Sequence, residues 1–174
     1  DIMSYHFGLL LGMLTGMLAG IVLVAILFKK KVLDMHFDER QELARGKAFQ
    51  YGFLTLVVCL YAYGATELAV GHWCDVLAGV TICIALSMGV FAVTCICRDA
   101  YLSLREKPKQ IITAFAILSA VNLGFGAMSL LDGTLTEDGV LTFWAVNPIA
   151  GVLTLFILIV YIVRNRLCRN GKDE

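Results

Sequence analysis

The chain has 174 residues, of which 59% are hydrophobic, and its formal net charge is zero. One domain fits this length, while so apolar a composition excludes both an ordinary soluble protein and a disordered one. Because acidic residues are interleaved with the basic ones, the charge also argues against nucleic acid as a partner. The composition predicts an integral membrane protein, with membrane lipid as its surroundings.

The positive charges are segregated along the chain. All fourteen Lys and Arg residues lie in three patches, Lys29 to Lys47, Arg98 to Lys109 and Arg164 to Lys172. Cytoplasmic loops of helical membrane proteins retain Lys and Arg, so we expect these patches in the cytoplasm and the intervening gaps outside. No basic residue precedes the first apolar run, which predicts a retained helix and not a cleaved signal peptide.

Five segments are long and apolar enough to cross a membrane as helices. They are His6 to Phe28, Ala48 to Val70, Val76 to Cys97, Ile111 to Leu131 and Phe143 to Val163. The predicted fold class is all-α: a polytopic bundle of five transmembrane helices, N-terminus outside and C-terminus cytoplasmic, forming one domain over residues 1–174. The fifth segment contains Asn147-Pro148, so it either begins there or bends in its first turn.

The first segment carries a glycine at every fourth position: Gly8, Gly12, Gly16 and Gly20. Residues four apart share one helix face, and small residues let helix backbones approach closely in lipid. This glycine zipper predicts a close helix contact. Its partner is either another helix of the same chain or a second copy in a homo-oligomer.

A charged segment, Asp38-Glu39-Arg40-Gln41, precedes the second apolar segment. Asp38 suits a helix N-cap, and Gln41 has the spacing of a capping box. Glu39 in the first turn complements the helix dipole. The pattern predicts a helix that begins near Asp38 and extends about two turns into the cytoplasm. An exposed charged helix end also suits docking of a cytoplasmic or membrane protein partner, and both roles are compatible.

The same segment carries a resemblance to a group of small multi-pass membrane proteins of Firmicutes to which no activity is assigned. The matching residues are Asp38 to Gln41, Gly46 to Tyr51, Phe91 to Val93 and Arg98 to Leu104, within roughly residues 37 to 130. The resemblance implies a bacterial plasma membrane location. It also implies a neighbouring gene for a helix-turn-helix regulator, and hence a regulated stress, sensing or immunity role.

Two polar residues inside the apolar segments are functional candidates, Glu67 and Asn122. Glu67 is the ionisable one, about one turn from the outer end of its helix, and buried carboxylates in membranes are functional candidates. Glu67 is therefore either the coupling carboxylate of a small oligomeric transporter or channel, or a hydrated interfacial residue. Asn122 lies midway along the fourth segment, where we expect it to hydrogen-bond between helices.

Metal, cofactor and enzyme signatures are missing from the sequence. The residue types that bind transition metals on the outer side, His6, Glu67, His72, Cys74 and Asp75, show no characteristic spacing. Recognised catalytic motifs are likewise missing. We therefore expect no metal, no cofactor and no catalytic residue. The predicted function is a non-enzymatic accessory, sensing or immunity-type role, with the Glu67 transporter or channel as the alternative.

Overall fold

The structure, a computed structural model, describes residues 11, 14, 15, 18, 22, 37–102 and 108–170. It divides the chain into two compact units, Asp1–His36 and Phe37–Glu174. In the first unit the five described residues are helical, and the Thr15 hydroxyl donates to the carbonyl of Leu11 at 2.9 Å. Most of the first predicted segment lies outside the described residues, as do its glycines Gly8, Gly12, Gly16 and Gly20. The fifth crossing and the single domain stay predictions.

The second unit is built from helices. They are α1 (Glu39–Val70), α2 (Val76–Cys97), α3 (Pro108–Leu131) and α4 (Val146–Asn170), together with a short hairpin of β1 (Thr136–Glu137) and β2 (Val140–Leu141) and a 3-10 turn at Phe143–Ala145. Each of the four helices contains a stretch long and apolar enough to cross a membrane. The predicted all-α helical bundle is thus confirmed in its general form for the second to fifth segments.

The helices pack in the order α1, α2, α4, α3, so that α2 and α4 are central. We call the end that contains residues 71–75 and 132–145 the hairpin end. The opposite end, with residues 37–48 and 97–102, is the capping-box end. Consecutive helices run in opposite directions between the two ends, as short connections require.

Helix α1 begins as its sequence predicts. Asp38 is the N-cap, and the reciprocal bonds of a capping box join it to Gln41. Because α1 has 32 residues, it is ~48 Å long at ~1.5 Å per residue, well over the ~30 Å of a hydrocarbon core. It ends at Gly71, whose φ of 90° is a conformation that side chains other than glycine rarely adopt. The capping box and the extension beyond the apolar segment are confirmed.

The start of α4 decides between the two alternatives for the fifth segment. A 3-10 turn precedes the helix, which begins at Val146 and places Pro148 in its first turn. Proline is tolerated there because its missing N–H would have no partner within the helix. The helix of the fifth segment therefore begins beside Asn147-Pro148, which is the first of the two alternatives.

In a soluble protein the large apolar side chains are mostly buried, whereas here many of them are exposed. Most buried apolar residues are small, including Ala48, Ala78, Ala92 and Ala145, whereas large ones face outward. Leu68 is 91% exposed and Leu131 is 85% exposed. Large apolar patches on a soluble protein mark interaction sites or aggregation hazards, but lipid covers them without cost.

Glycine and serine join α1 to α2. Tyr63 of α1 lies against Gly79, where a Cβ atom would come within 2.5 Å of the tyrosine ring. Nearer the capping-box end, the Ser87 hydroxyl donates to the carbonyl of Gly52 at 2.8 Å. This is the small-residue and cross-helix hydrogen-bond chemistry that associates helices in lipid.

The α3–α4 contact uses the same chemistry. The Ser119 hydroxyl, almost fully buried, donates to the carbonyl of Gly151 at 3.1 Å. Asn122 instead donates within its own helix, to the carbonyl of Leu118 at 2.8 Å. The bond that Asn122 makes is therefore within its own helix, unlike the predicted one, whereas Ser119 on the same helix bonds to the backbone of α4.

Candidate functional sites at the two ends of the helices

At the capping-box end, Gln41 both caps α1 and holds the α2–α3 connection. Its backbone N–H donates to Asp38 Oδ1 at 2.6 Å, and its Oε1 accepts from the Asp38 N–H at 3.3 Å. Its Nε2 donates to the carbonyl of Asp99 at 2.8 Å and to that of Leu102 at 3.4 Å. The cap therefore joins α1 to a chain segment about 60 residues away.

Arg45 holds the same connection from one turn further along α1. Its guanidinium lies 4.1 Å from the centre of the Phe37 ring and 5.7 Å from that of Phe91. Its Nη1 donates to the carbonyl of Ala100 at 3.2 Å. Asp99, with φ of 53°, makes the left-handed turn after α2 that brings these carbonyls within reach.

We expect Arg45→Ala to lower the free energy of unfolding by about 1 to 3 kcal/mol, because it removes two ring contacts and one charge-assisted hydrogen bond. Arg40→Ala is the matched control, since it removes the same charge from an exposed position on the same helix and should change stability by less than about 0.5 kcal/mol. Denaturant titration in mixed micelles measures both. Equal losses for the two variants would show that Arg45 acts only through its charge.

The side of α1 that faces away from Gln41 and Arg45 is exposed over its first turns. We call this surface the α1 face; it consists of Glu39, Arg40, Glu42, Leu43, Gly46, Lys47 and Gln50. Leu43 is 73% exposed amid charged side chains. The backbone of the α1 face is fixed from the other side by the Gln41 and Arg45 contacts.

Helix α4 is anchored at the same end. Arg164 Nη2 donates to the carbonyl of Cys97 at 3.4 Å and lies 3.7 Å from a carboxylate oxygen of Asp99. The pair is partly exposed, so it contributes little stability by itself. It places the end of α4 beside the turn that Gln41 and Arg45 also hold.

At the hairpin end, the connection between α1 and α2 pairs with the β-hairpin. The Asp75 N–H donates to the carbonyl of Leu141 at 2.7 Å, and the Leu141 N–H donates to that of Trp73 at 3.0 Å. Residues 132 to 142 are mostly exposed, and β1 and β2 pair within them as a short hairpin. Strands of two residues are too short to show an alternating pattern.

Glu67 lies on the last turn of α1, close to His72. Its Oε2 is 3.5 Å from His72 Nδ1, and its side chain is 26% exposed while Oε1 is shielded from solvent. His72 Nε2 is 3.9 Å from Asp75 Oδ1. Glu67 thus sits at the helix end beside a histidine that is itself more than half exposed. Its use as a coupling carboxylate stays a prediction.

Cys74 is fully buried between Tyr63 and the hairpin. Burial raises the pKa of the Cys74 thiol, and the nearby carboxylates of Asp75 and Glu67 raise it further. The thiol is therefore protonated and unreactive at neutral pH. Within the ranges that the structure describes, no three His, Cys, Asp or Glu side chains are grouped to hold a metal ion; His6 lies outside those ranges.

Comparison with known proteins finds no matching family model, no matching curated protein and no matching solved structure. The resemblance to small Firmicutes membrane proteins therefore stays a prediction from the motifs alone.

Proposed function

We propose that the chain is an integral protein of the bacterial plasma membrane, with five crossings, an outer N-terminus and a cytoplasmic C-terminus. In this orientation the capping-box end faces the cytoplasm and the hairpin end faces outside. The segregation of Lys and Arg supports the orientation. Four long apolar helices with small residues buried between them support insertion in lipid.

We further propose a non-enzymatic accessory, sensing or immunity-type role in which the α1 face docks a cytoplasmic protein. The observation that carries this proposal is the rigid presentation of that face. Gln41 and Arg45 fasten the helix from behind, so the backbone that carries the exposed side chains is held in position before a partner arrives. Pre-ordering lowers the entropic cost of binding.

The composition of the α1 face favours a protein over lipid or nucleic acid. Glu39 and Glu42 stand beside Arg40 and Lys47, so the face carries both signs of charge. Anionic lipid and nucleic acid both select for positive charge alone. A central exposed Leu43 with a charged surround matches the apolar centre and polar rim of protein interfaces.

Affinity capture from native membranes, followed by binding measurements with the recovered protein, tests this role. We expect Leu43→Ala to weaken the binding of the recovered partner by about tenfold, since it removes the apolar centre of the contact. Leu68→Ala is the matched control: the same change on the same helix, at an exposed position of the opposite end. A partner whose affinity is the same for wild type and Leu43→Ala contradicts docking at this face.

A further inference from the structure

A cavity of about 400 Å³ opens at the hairpin end. Its lining includes two carboxylates, Asp75 and Glu137, and two aromatic rings, Phe143 and Trp144, together with threonine hydroxyls. The volume falls within the range of small-molecule sites, ~300 to 1,000 Å³, and such sites combine apolar walls with a few polar groups.

The aromatic wall of the cavity is held in place. The rings of Phe143 and Trp144 lie 4.6 Å apart between centroids, tilted by 32°. The Phe143 N–H donates to Asp75 Oδ2 at 2.9 Å, which fixes the start of the 3-10 turn against the first residues of α2. The bond also holds the Asp75 carboxylate beside the rings. Phe143 and Trp144 are 45% and 44% exposed, so part of each residue remains accessible to a ligand.

The charge at this cavity is unbalanced. No Lys or Arg occurs between residues 48 and 97 or between residues 110 and 163. These two segments therefore supply no Lys or Arg side chain to neutralise the carboxylates of Asp75 and Glu137. His72 lies 3.9 Å from Asp75 Oδ1 and is the one histidine of these ranges. A concave site with two negative charges concentrates cations.

The lining selects an organic cation over a metal ion. The described residues form no group of three His, Cys, Asp or Glu side chains, the ligands that zinc and similar metal ions use in proteins. Aromatic faces beside carboxylates instead stabilise ammonium groups through cation–π and charge attraction.

We propose that this cavity binds a small organic ammonium compound, with Asp75 and Glu137 as counter-charges and the Phe143–Trp144 pair as the wall. The site goes beyond the proposed docking role and does not depend on it, since the cavity and the α1 face lie at opposite ends of α1. If the orientation proposed above holds, the ligand arrives from outside the cell.

Isothermal titration of the purified full chain in detergent, at constant ionic strength, tests the site with choline and spermidine as probes. We expect saturable binding of at least one of them. The uncharged isostere of choline, 3,3-dimethylbutan-1-ol, should bind about tenfold more weakly than choline if choline is the one that binds. Saturable binding of neither ammonium compound overturns the proposal.

Matched variants distinguish binding in this cavity from binding elsewhere on the protein. Glu137→Gln should weaken binding by about tenfold, whereas Asp138→Asn, the same change at the neighbouring residue outside the cavity, should leave it unchanged. Trp144→Leu should also weaken binding. If Glu137→Gln binds as wild type does, the ammonium compound is held elsewhere and the proposal fails. A third outcome is that Trp144→Leu reconstitutes poorly into bilayers while both it and Glu137→Gln bind the ammonium compound as wild type does. The rings would then anchor the protein at the membrane interface, and the proposal would fail.

Discussion

Replacing Gly126 by alanine is expected to force α3 and α4 apart and to lower the free energy of unfolding by about 1 to 3 kcal/mol. A Cβ atom at Gly126 would lie 2.6 Å from Cβ of Pro148 and 3.2 Å from its Cα. The proline ring is rigid and its Cα belongs to the backbone, so neither atom can rotate away. The helices must separate, and in lipid close packing is the main attraction between them.

Gly124→Ala is the control for this prediction. Gly124 lies two residues earlier on the same helix, and no neighbouring atom lies within 4 Å of a Cβ built there. The same methyl group should therefore leave stability unchanged or slightly increase it. Titration from mixed micelles into a denaturing detergent measures both variants. Matching midpoints for Gly126→Ala and Gly124→Ala would show that the α3–α4 contact is looser than the structure indicates.

The helices and their approximate ends were predictable because they rest on local signals. Residues Val76 to Cys97 were expected as one helix from apolar length alone, and α2 has those bounds. Asp38 and Gln41 carry the capping-box spacing, and α1 begins there. Length, apolarity and capping act within one or two turns, so a single sequence reveals them.

The contacts between helices were not predictable, because they depend on which residues face each other across the bundle. The sequence around Gln41 does not predict its hydrogen bonds to the carbonyls of Asp99 and Leu102. Similarly, Ser119 and Asn122 lie on one helix, but only Ser119 donates to the backbone of α4. Apolarity on all sides of a membrane helix removes the periodic signal that would identify its buried face.

The candidate ligand cavity was also missed by sequence reasoning. Its residues come from the start of α2, the hairpin and the 3-10 turn, and the pairing of Asp75 with Leu141 brings them together. A cluster of threonines before Phe143-Trp144 was the available signal. This cluster does not indicate a ligand site until the hairpin places it near the carboxylate of Asp75, which lies far earlier in the sequence.

The second large effect concerns sidedness. In intact cells, a cysteine introduced as Asp132→Cys should react fully with a membrane-impermeant maleimide. One introduced as Arg40→Cys should react only after permeabilisation. Both positions are exposed, and they lie at opposite ends of the helices. Labelling of each cysteine should be either complete or absent in intact cells, because a charged reagent does not cross the hydrocarbon core.

Native thiols determine the background for this experiment. Cys74 lies at the hairpin end but is fully buried, and its raised pKa keeps it protonated at neutral pH. It should remain unlabelled until the protein is unfolded, so it reports on folding and not on sidedness. The introduced cysteines are best placed in a chain whose six native cysteines are replaced by alanine or serine, after its folding is verified.

The two termini give the most direct test, since an odd number of crossings requires them on opposite sides. Ser4→Cys and Lys172→Cys are labelled with the impermeant maleimide in intact cells and again after permeabilisation. We predict that residue 4 reacts in intact cells and that residue 172 reacts only after permeabilisation. Reaction of both residues from the same side would contradict the five-crossing arrangement and, with it, the assignment of the α1 face to the cytoplasm.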